Sequence, residues 1–203
     1  LELAGSAKRV LDVGCSTGGI SRELMTRGVE VIGLDIEPEA IEKARSHGVD
    51  ARVWDLEAES ITVLKDEGPF DAILFADVLE HLRDPQEQLV RALPLLSEGG
   101  SVIVSVPNVA HVSVRLAMIL GRWDYRDYGL LDTTHLRFFT LDGLEDLAES
   151  AGYYIDAVER TYHHVENIGD EILIDDMQVP TWLVAAARFG PEANTHQFVA
   201  RLR

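Results

Sequence analysis

Residues 10–21 read Val-Leu-Asp-Val-Gly-Cys-Ser-Thr-Gly-Gly-Ile-Ser. An apolar run with alternating faces ends at Gly14, a turn of small residues follows, and a helix is expected from near Gly18. The pattern predicts a strand–loop–helix unit whose loop lets a ligand lie against bare backbone. Glycine serves where a chain turns sharply or takes positive φ. The first amides of the helix have no partner inside it and face the ligand. The next expected strand, residues 29–36, carries Asp35 near its end. A carboxylate there can accept hydrogen bonds from both hydroxyls of a ribose.

Outward from this unit, strand and helix patterns alternate, which implies a parallel sheet with helices on both faces. Strands are expected over 9–13, 29–36, 51–55, 70–75, 101–106, 153–162 and 195–202. Residues 70–75 are nearly all apolar, as in a strand buried on both faces. Helices are expected over 18–27, 38–46, from 85 to a break at Pro94, over 112–120, and over 140–152 with Thr140 as N-cap. Pro38 suits a first helical position, and Pro94 breaks a helix. Residues 57–69 are acidic and poorly patterned, and close in a Gly68-Pro69 turn. Residues 182–189 are alanine-rich and read as helix. Residues 195–202 alternate better, so the seventh strand is placed there, antiparallel and at the far end of the sheet. Residues 109–139 interleave aromatic and charged residues without a clean period and read as an insertion capping a site. Without internal repeats or linkers, residues 1–203 are expected to form one domain.

Acidic residues outnumber basic ones 35 to 18, a formal charge of −17 in 203 residues. This argues against broad contact with nucleic acid, whose phosphates need Lys and Arg, and against docking on anionic lipid. No run of 18 apolar residues suggests a membrane span. The single Cys15 forms no internal disulfide and fits a reducing compartment, so a cytoplasmic location is expected. The chain starts at Leu1, shortly before its first strand, and is read as a domain of a longer polypeptide. Covalent neighbour domains and a homodimer stay open as partners.

A dinucleotide site calls for Gly-x-Gly-x-x-Gly with pyrophosphate at the helix N-terminus. Here the pattern is Asp12-x-Gly14-x-Ser16-x-Gly18. A carboxylate beside pyrophosphate is repelled; beside a cationic ligand it is favourable. On these residues, and on 70–107, the chain resembles the class I S-adenosylmethionine (SAM)-dependent methyltransferases over residues 8–162, with Ser16 at the family's usual middle glycine. The resemblance implies a Rossmann-like α/β fold with a seven-stranded, mostly parallel sheet in the order 3-2-1-4-5-7-6, and SAM as cofactor. It implies that Gly14, Cys15 and Gly18 line the methionine part by backbone contact and that Asp12 assists near the amino group through water. It places Asp35 on the ribose, Ile36, Asp55 and Leu56 at the adenine, and Ala76 and Asp77 beside the sulfonium and amine.

Glu80-His81 followed by Asp84-Pro85 is similar to the branch holding the ubiquinone-biosynthesis O-methyltransferases. Thr133-Thr134-His135-Leu136-Arg137-Phe138-Phe139 is similar to methyltransferase domains found with glycosyltransferases. The implied reaction is methyl transfer to a small-molecule acceptor, on a sugar, polyketide or quinone-like hydroxyl. N-methylation of an amino sugar or small amine, a degenerate SAM-fold interaction module and an NAD-dependent oxidoreductase are the alternatives. His135 is taken as the base, with His111 and Asp132 as other candidates; His81 is either catalytic or a structural histidine that bonds a loop carbonyl. Arg137 is taken to orient the acceptor or the loop. Alternatively, His135 and Arg137 cap the following helix and pair with Asp132. Trp123, Tyr125 and Tyr128 stack on the acceptor or form the apolar underside of a lid. His163-His164 lack metal spacing and read as solvent or hairpin residues, and no metal site is expected.

Overall fold

The structure, a computed structural model, describes residues 2–162 and 180–203; His163 and His164 lie outside them. Seven strands form one sheet: β1 (Arg9–Val13), β2 (Glu30–Asp35), β3 (Asp50–Val53), β4 (Phe70–Ala76), β5 (Leu96–Pro107), β6 (Ile155–Tyr162) and β7 (Thr195–Leu202). Their order is β3-β2-β1-β4-β5-β7-β6, the order the resemblance implied. The first five are parallel, and β7 runs antiparallel to β5 and β6.

As expected, β7 lies antiparallel toward the far end of the sheet, between β5 and β6, with β6 at the edge. Burial fits this order. Thr195, Phe198, Ala200 and Leu202 of β7 are buried, whereas no residue of β6 is fully buried. Two boundaries also move. β5 starts at Leu96 and runs through the expected Gly99-Gly100 turn, with a register shift against β4. β3 ends at Val53, so Asp55 sits in the following loop. Residues 61–67 of the acidic stretch form a short 3-10 helix that buries Ile61 and Leu64.

The helices are α1 (Gly19–Thr26), α2 (Pro38–Ser46), α3 (Pro85–Ala92), α4 (Val112–Ile119), α5 (Leu141–Ser150) and α6 (Thr181–Ala187). Pro38 and Pro85 occupy first turns, where a missing N–H costs nothing. The Asp84 side chain caps α3 through Glu87 N at 2.9 Å, and Thr140 caps α5 through Gly143 N at 3.1 Å. Strand alternation sends side chains to two cores. Leu11, Val13, Ile73 and Phe75 join Leu89 of α3 and Leu144 of α5 on one face. Val10, Val31, Ala72 and Leu74 join Leu24 of α1 on the other.

The segment after β5 is closed at its neck by a bridge between Asn108 and Phe139. Inside it, α4 packs through Val112 and Leu116 on Ala187 and Ala193, and Val114 packs on Leu130 and Leu131. Its tail lies on the short 3-10 helix Leu79–His81, because Leu136 N and Arg137 N both donate to the Glu80 carbonyl, at 2.7 and 3.0 Å. Among the described residues, no helix is long and apolar enough to cross a membrane.

Candidate active site

The carboxyl ends of β1, β2 and β4, with the loop after β3, surround a cavity of about 640 Å³, where open α/β sheets bind ligands. Its lining includes Asp12, Gly14, Cys15, Asp35, Ile36, Asp55, Leu56, Ala76 and Asp77. These were expected at the cofactor, and the fold brings them together. Glu57 adds a fifth carboxylate, and among the described residues the lining holds no Lys or Arg. Such a wall suits a cationic ligand without phosphate and opposes a dinucleotide.

The first loop is built around backbone that only small residues adopt. Gly14 has φ +77°, and a Cβ on it would fall 2.3 Å from Val78 Cγ2. Ser16, at the family's glycine position, takes a left-handed φ of 48°. Asp35 holds it there. One of its oxygens accepts from Ser16 N at 2.8 Å, the other from Glu37 N at 2.9 Å. Each carboxylate oxygen keeps a lone pair for a ligand. Asp12 is buried, with Oδ2 accepting from Ser21 Oγ at 2.6 Å and Oδ1 without a partner among the described residues. Burial, opposed by the Ser21 bond and reinforced by the Asp35 charge, raises its pKa to about 6. A buried acid with an unused acceptor fits the ammonium of SAM. Asp55 accepts from Glu57 N at 2.9 Å and turns the chain back over the cavity edge.

Gly18 departs from the expectation. It is absent from the lining, where Gly19 takes its place. Its own φ of +80° and the packing of Ala44 and Val49 against it make it a close-packing residue between α1 and α2. Further contributors escaped the sequence reading. Trp54 and Ile20 line the cavity but carry no motif. A Cβ on Gly33 would fall 2.7 Å from Cys15 Sγ, so this glycine makes room for the loop from the neighbouring strand. Cys15 itself is buried, and burial followed by the Asp12 and Asp35 charges pushes its thiol up to about 12, which keeps it unreactive.

The histidines are redistributed. His81 lines the cavity. Its Nδ1 is 3.0 Å from Thr134 Oγ1 and 3.3 Å from the Thr134 carbonyl. Thr134 Oγ1 donates to Asp132 Oδ1 at 2.6 Å. With its hydrogen spent there, the hydroxyl can only accept from His81. Nδ1 therefore carries the proton, and Nε2 is the basic nitrogen of the neutral ring. Burial alone would push Asp132 up, but the Thr134 bonds with the His135 and His81 rings outweigh it and hold the carboxyl below its ordinary range.

His135, the expected base, is buried outside the cavity lining. Its ring meets His81 edge-on at 4.9 Å between centroids, and its Nδ1 faces the Leu130 carbonyl at 3.3 Å. Burial, then the His81 charge, lowers its pKa. His111 is also buried outside the lining. It caps α4, with Nδ1 2.7 Å from Ser113 Oγ and its ring 5.7 Å from His196, because α4 is drawn toward α6 by Val112 and Leu116. Tyr125 and Tyr128 are exposed and outside the lining. Trp123 packs edge-on against Phe138, which ties this part of the segment to itself. Arg137 donates from Nη2 to the Arg83 carbonyl, so it fastens the loop and does not face the cavity. Neither His135 nor Arg137 caps α5.

Glu80 lies beneath this cluster, buried, with Oε2 unpartnered among the described residues. Burial, then repulsion from Asp77 and Asp132, raises it to about 8, against the lowering effect of a backbone bond. Ligand atoms of Glu80, His81 and His135 lie within 4.8 Å of one another. Donors of this kind suit a divalent transition metal, a grouping that sequence spacing could not show.

A family model for a methyltransferase domain matches residues 1–158. The ubiquinone biosynthesis O-methyltransferase of Xanthomonas oryzae pv. oryzae (strain PXO99A) is 36% identical over 122 residues, covering 59% of this chain and 50% of that one. The protein of that name from Cereibacter sphaeroides (strain ATCC 17029 / ATH 2.4.9) is 34% identical over 158 residues, covering 75% and 62%. The chain thus spans about half to three-fifths of these relatives. In fold it is similar to a SAM-dependent methyltransferase from Archaeoglobus fulgidus, with a TM-score of 0.67 at 18% identity, over 99% of this chain and 88% of that one. With the acid-lined cavity at the strand ends and the family match over most of its length, the chain belongs to the class I methyltransferases, whose cofactor is S-adenosyl-L-methionine.

Proposed function

We propose that the protein methylates a hydroxyl of a small-molecule acceptor, with His81 as general base. The observation that carries this reading is the Asp132–Thr134–His81 chain, which ties Nδ1 of the His81 ring and orients the ring at the wall of the cavity. When bound, SAM supplies a methyl carbon on a sulfonium whose leaving group is a neutral thioether. Asp12 and Asp77 would hold the cationic end, Asp35 the ribose, and Asp55, Leu56 and Ile36 the adenine. Alignment then provides much of the acceleration. His81 Nε2 takes the proton of the acceptor hydroxyl, while Nδ1 is anchored on Thr134, itself bonded to Asp132. His135 packs behind His81 and positions it. The names of the relatives, O-methyltransferases of ubiquinone biosynthesis, support a hydroxyl acceptor. The segment 109–139, resting on the Leu79–His81 turn, serves as the acceptor-side cap.

The test measures SAM binding by calorimetry and transfer of labelled methyl from SAM to a panel of phenols, sugar hydroxyls and primary amines. His81→Ala is expected to lower turnover by ~10²–10⁴-fold with SAM affinity near that of the unaltered chain, and His135→Ala to lower it far less. Transfer to amines alone would overturn the hydroxyl assignment. Turnover that is lost in chelator and restored by a divalent metal would make His81 a metal ligand instead of the base.

A further inference from the structure

The cavity wall contains one carboxylate whose orientation is set from outside the cofactor-binding half of the sheet. Asp77 follows β4 with a left-handed φ of 55°, a conformation uncommon outside glycine that aspartate takes more readily than most side chains. Its N–H donates to the Ser105 carbonyl at 3.1 Å. Its Oδ1 accepts from Ser105 Oγ at 3.1 Å and from Gln197 Nε2. The same Gln197 amide nitrogen also lies 2.5 Å from Ser105 Oγ. The three groups form a closed ring. Ser105 spends its hydrogen on Asp77, so its oxygen is free to accept from Gln197, and the two amide hydrogens of Gln197 serve one partner each.

Register explains the meeting. Ser105 stands beside Ala76 in the β4–β5 pair, and Gln197 stands opposite Pro107 in the β5–β7 pair. The antiparallel insertion of β7 thus carries Gln197 to the edge where parallel strands deliver their ligand residues.

We propose that Gln197 is a positioning residue for cofactor binding: with Ser105 it locks Asp77 Oδ1 and so aims Oδ2, which no described residue hydrogen-bonds, at the cationic end of SAM. Both donors are neutral, so the lock fixes the rotamer without cancelling the charge. The inference rests on the placement of Asp77 at the sulfonium and amine. Glu80 and His135 couple electrostatically to Asp77, and neither takes part in the ring.

The experiment is calorimetric SAM binding across pH 5–8 for the unaltered chain, Gln197→Ala, Ser105→Ala and Gln197→Glu, with unfolding curves for each. Gln197→Ala and Ser105→Ala are expected to raise Kd roughly 2- to 12-fold, the equivalent of one net hydrogen bond. Gln197→Glu is the sharper probe. Protonated, the introduced acid still donates to Asp77; ionised, it sets two carboxylates in contact, which disfavours charge on both. Its Kd, relative to that of the unaltered chain, is therefore expected to be close at pH 5 and to worsen steadily toward pH 8. A packing role for Gln197 gives no such trend. Variants that fold and bind SAM as the unaltered chain does at every pH would overturn the proposal. If the unaltered chain fails to bind SAM, the cofactor reading falls, and this inference with it.

Discussion

A Cβ built on Gly14 meets Val78 Cγ2 at 2.3 Å, while the Val78 Cβ stands at 3.7 Å. The residue is constrained twice, by left-handed backbone and by a neighbour from the next site loop. Gly14→Ala is expected to destabilise the chain by roughly 2–5 kcal/mol, from left-handed strain and overpacking together. Urea unfolding measures it. Truncating the neighbour removes the clash but not the strain, so the Gly14→Ala/Val78→Ala pair should be less destabilised than the sum of its members. Strict additivity would show that Val78 is not the obstacle. Gly14 was legible because a sharp turn after a strand calls for glycine. Gly33 was not, since its need arises only when Cys15 packs across from the neighbouring strand.

At the scale of elements, local signals did well wherever one residue decides one end. Thr140 caps α5 as its position before an apolar-periodic stretch suggested, and α5 buries Leu144 and Ala148 in the core. Thr140→Ala is expected to cost about 1 kcal/mol of stability. It should leave SAM affinity unchanged, because α5 contributes nothing to the cavity lining among the described residues. A shift in Kd without a shift in unfolding midpoint would contradict this. β7 shows the opposite case. Its alternation announced a strand, but alternation says nothing about neighbours. Its place between β5 and β6 follows from which strand buries more, and that depends on both partners at once.

The molecule as a whole carries a stability term that works against neutral pH. Folded, Glu80 ionises at about 8; unfolded, it ionises at about 4.3. Between these values the native state holds a proton that the unfolded state has released. Stability therefore falls as pH rises through the window, the contribution being complete below about pH 4 and lost above about pH 8. His135, with its lowered pKa, acts in the opposite sense below its ordinary range, so the Glu80 effect is clearest above pH 7. The ligand-free chain is expected to lose Tm from pH 7 to 9, and Glu80→Gln to flatten that slope, since the amide has no proton to release. Parallel slopes for the two proteins, followed by thermal unfolding monitored by circular dichroism, would refute the assignment. The sequence by itself determined the α/β class and most of the cavity wall. Asp12, Asp35 and Ala76 each end, or nearly end, a strand readable from a few neighbours, and a parallel sheet sends all such ends to one edge. What only the tertiary structure decided was which imidazole faces the cavity and which remote residues set the carboxylates. His81 displaces His135 because the Leu136 and Arg137 amides bind the Glu80 carbonyl and seat Thr134 on the His81 ring. Gln197 reaches Asp77 only because β7 enters the sheet beside β5. Such contacts join segments far apart in the chain through space, where neither periodicity nor spacing records them.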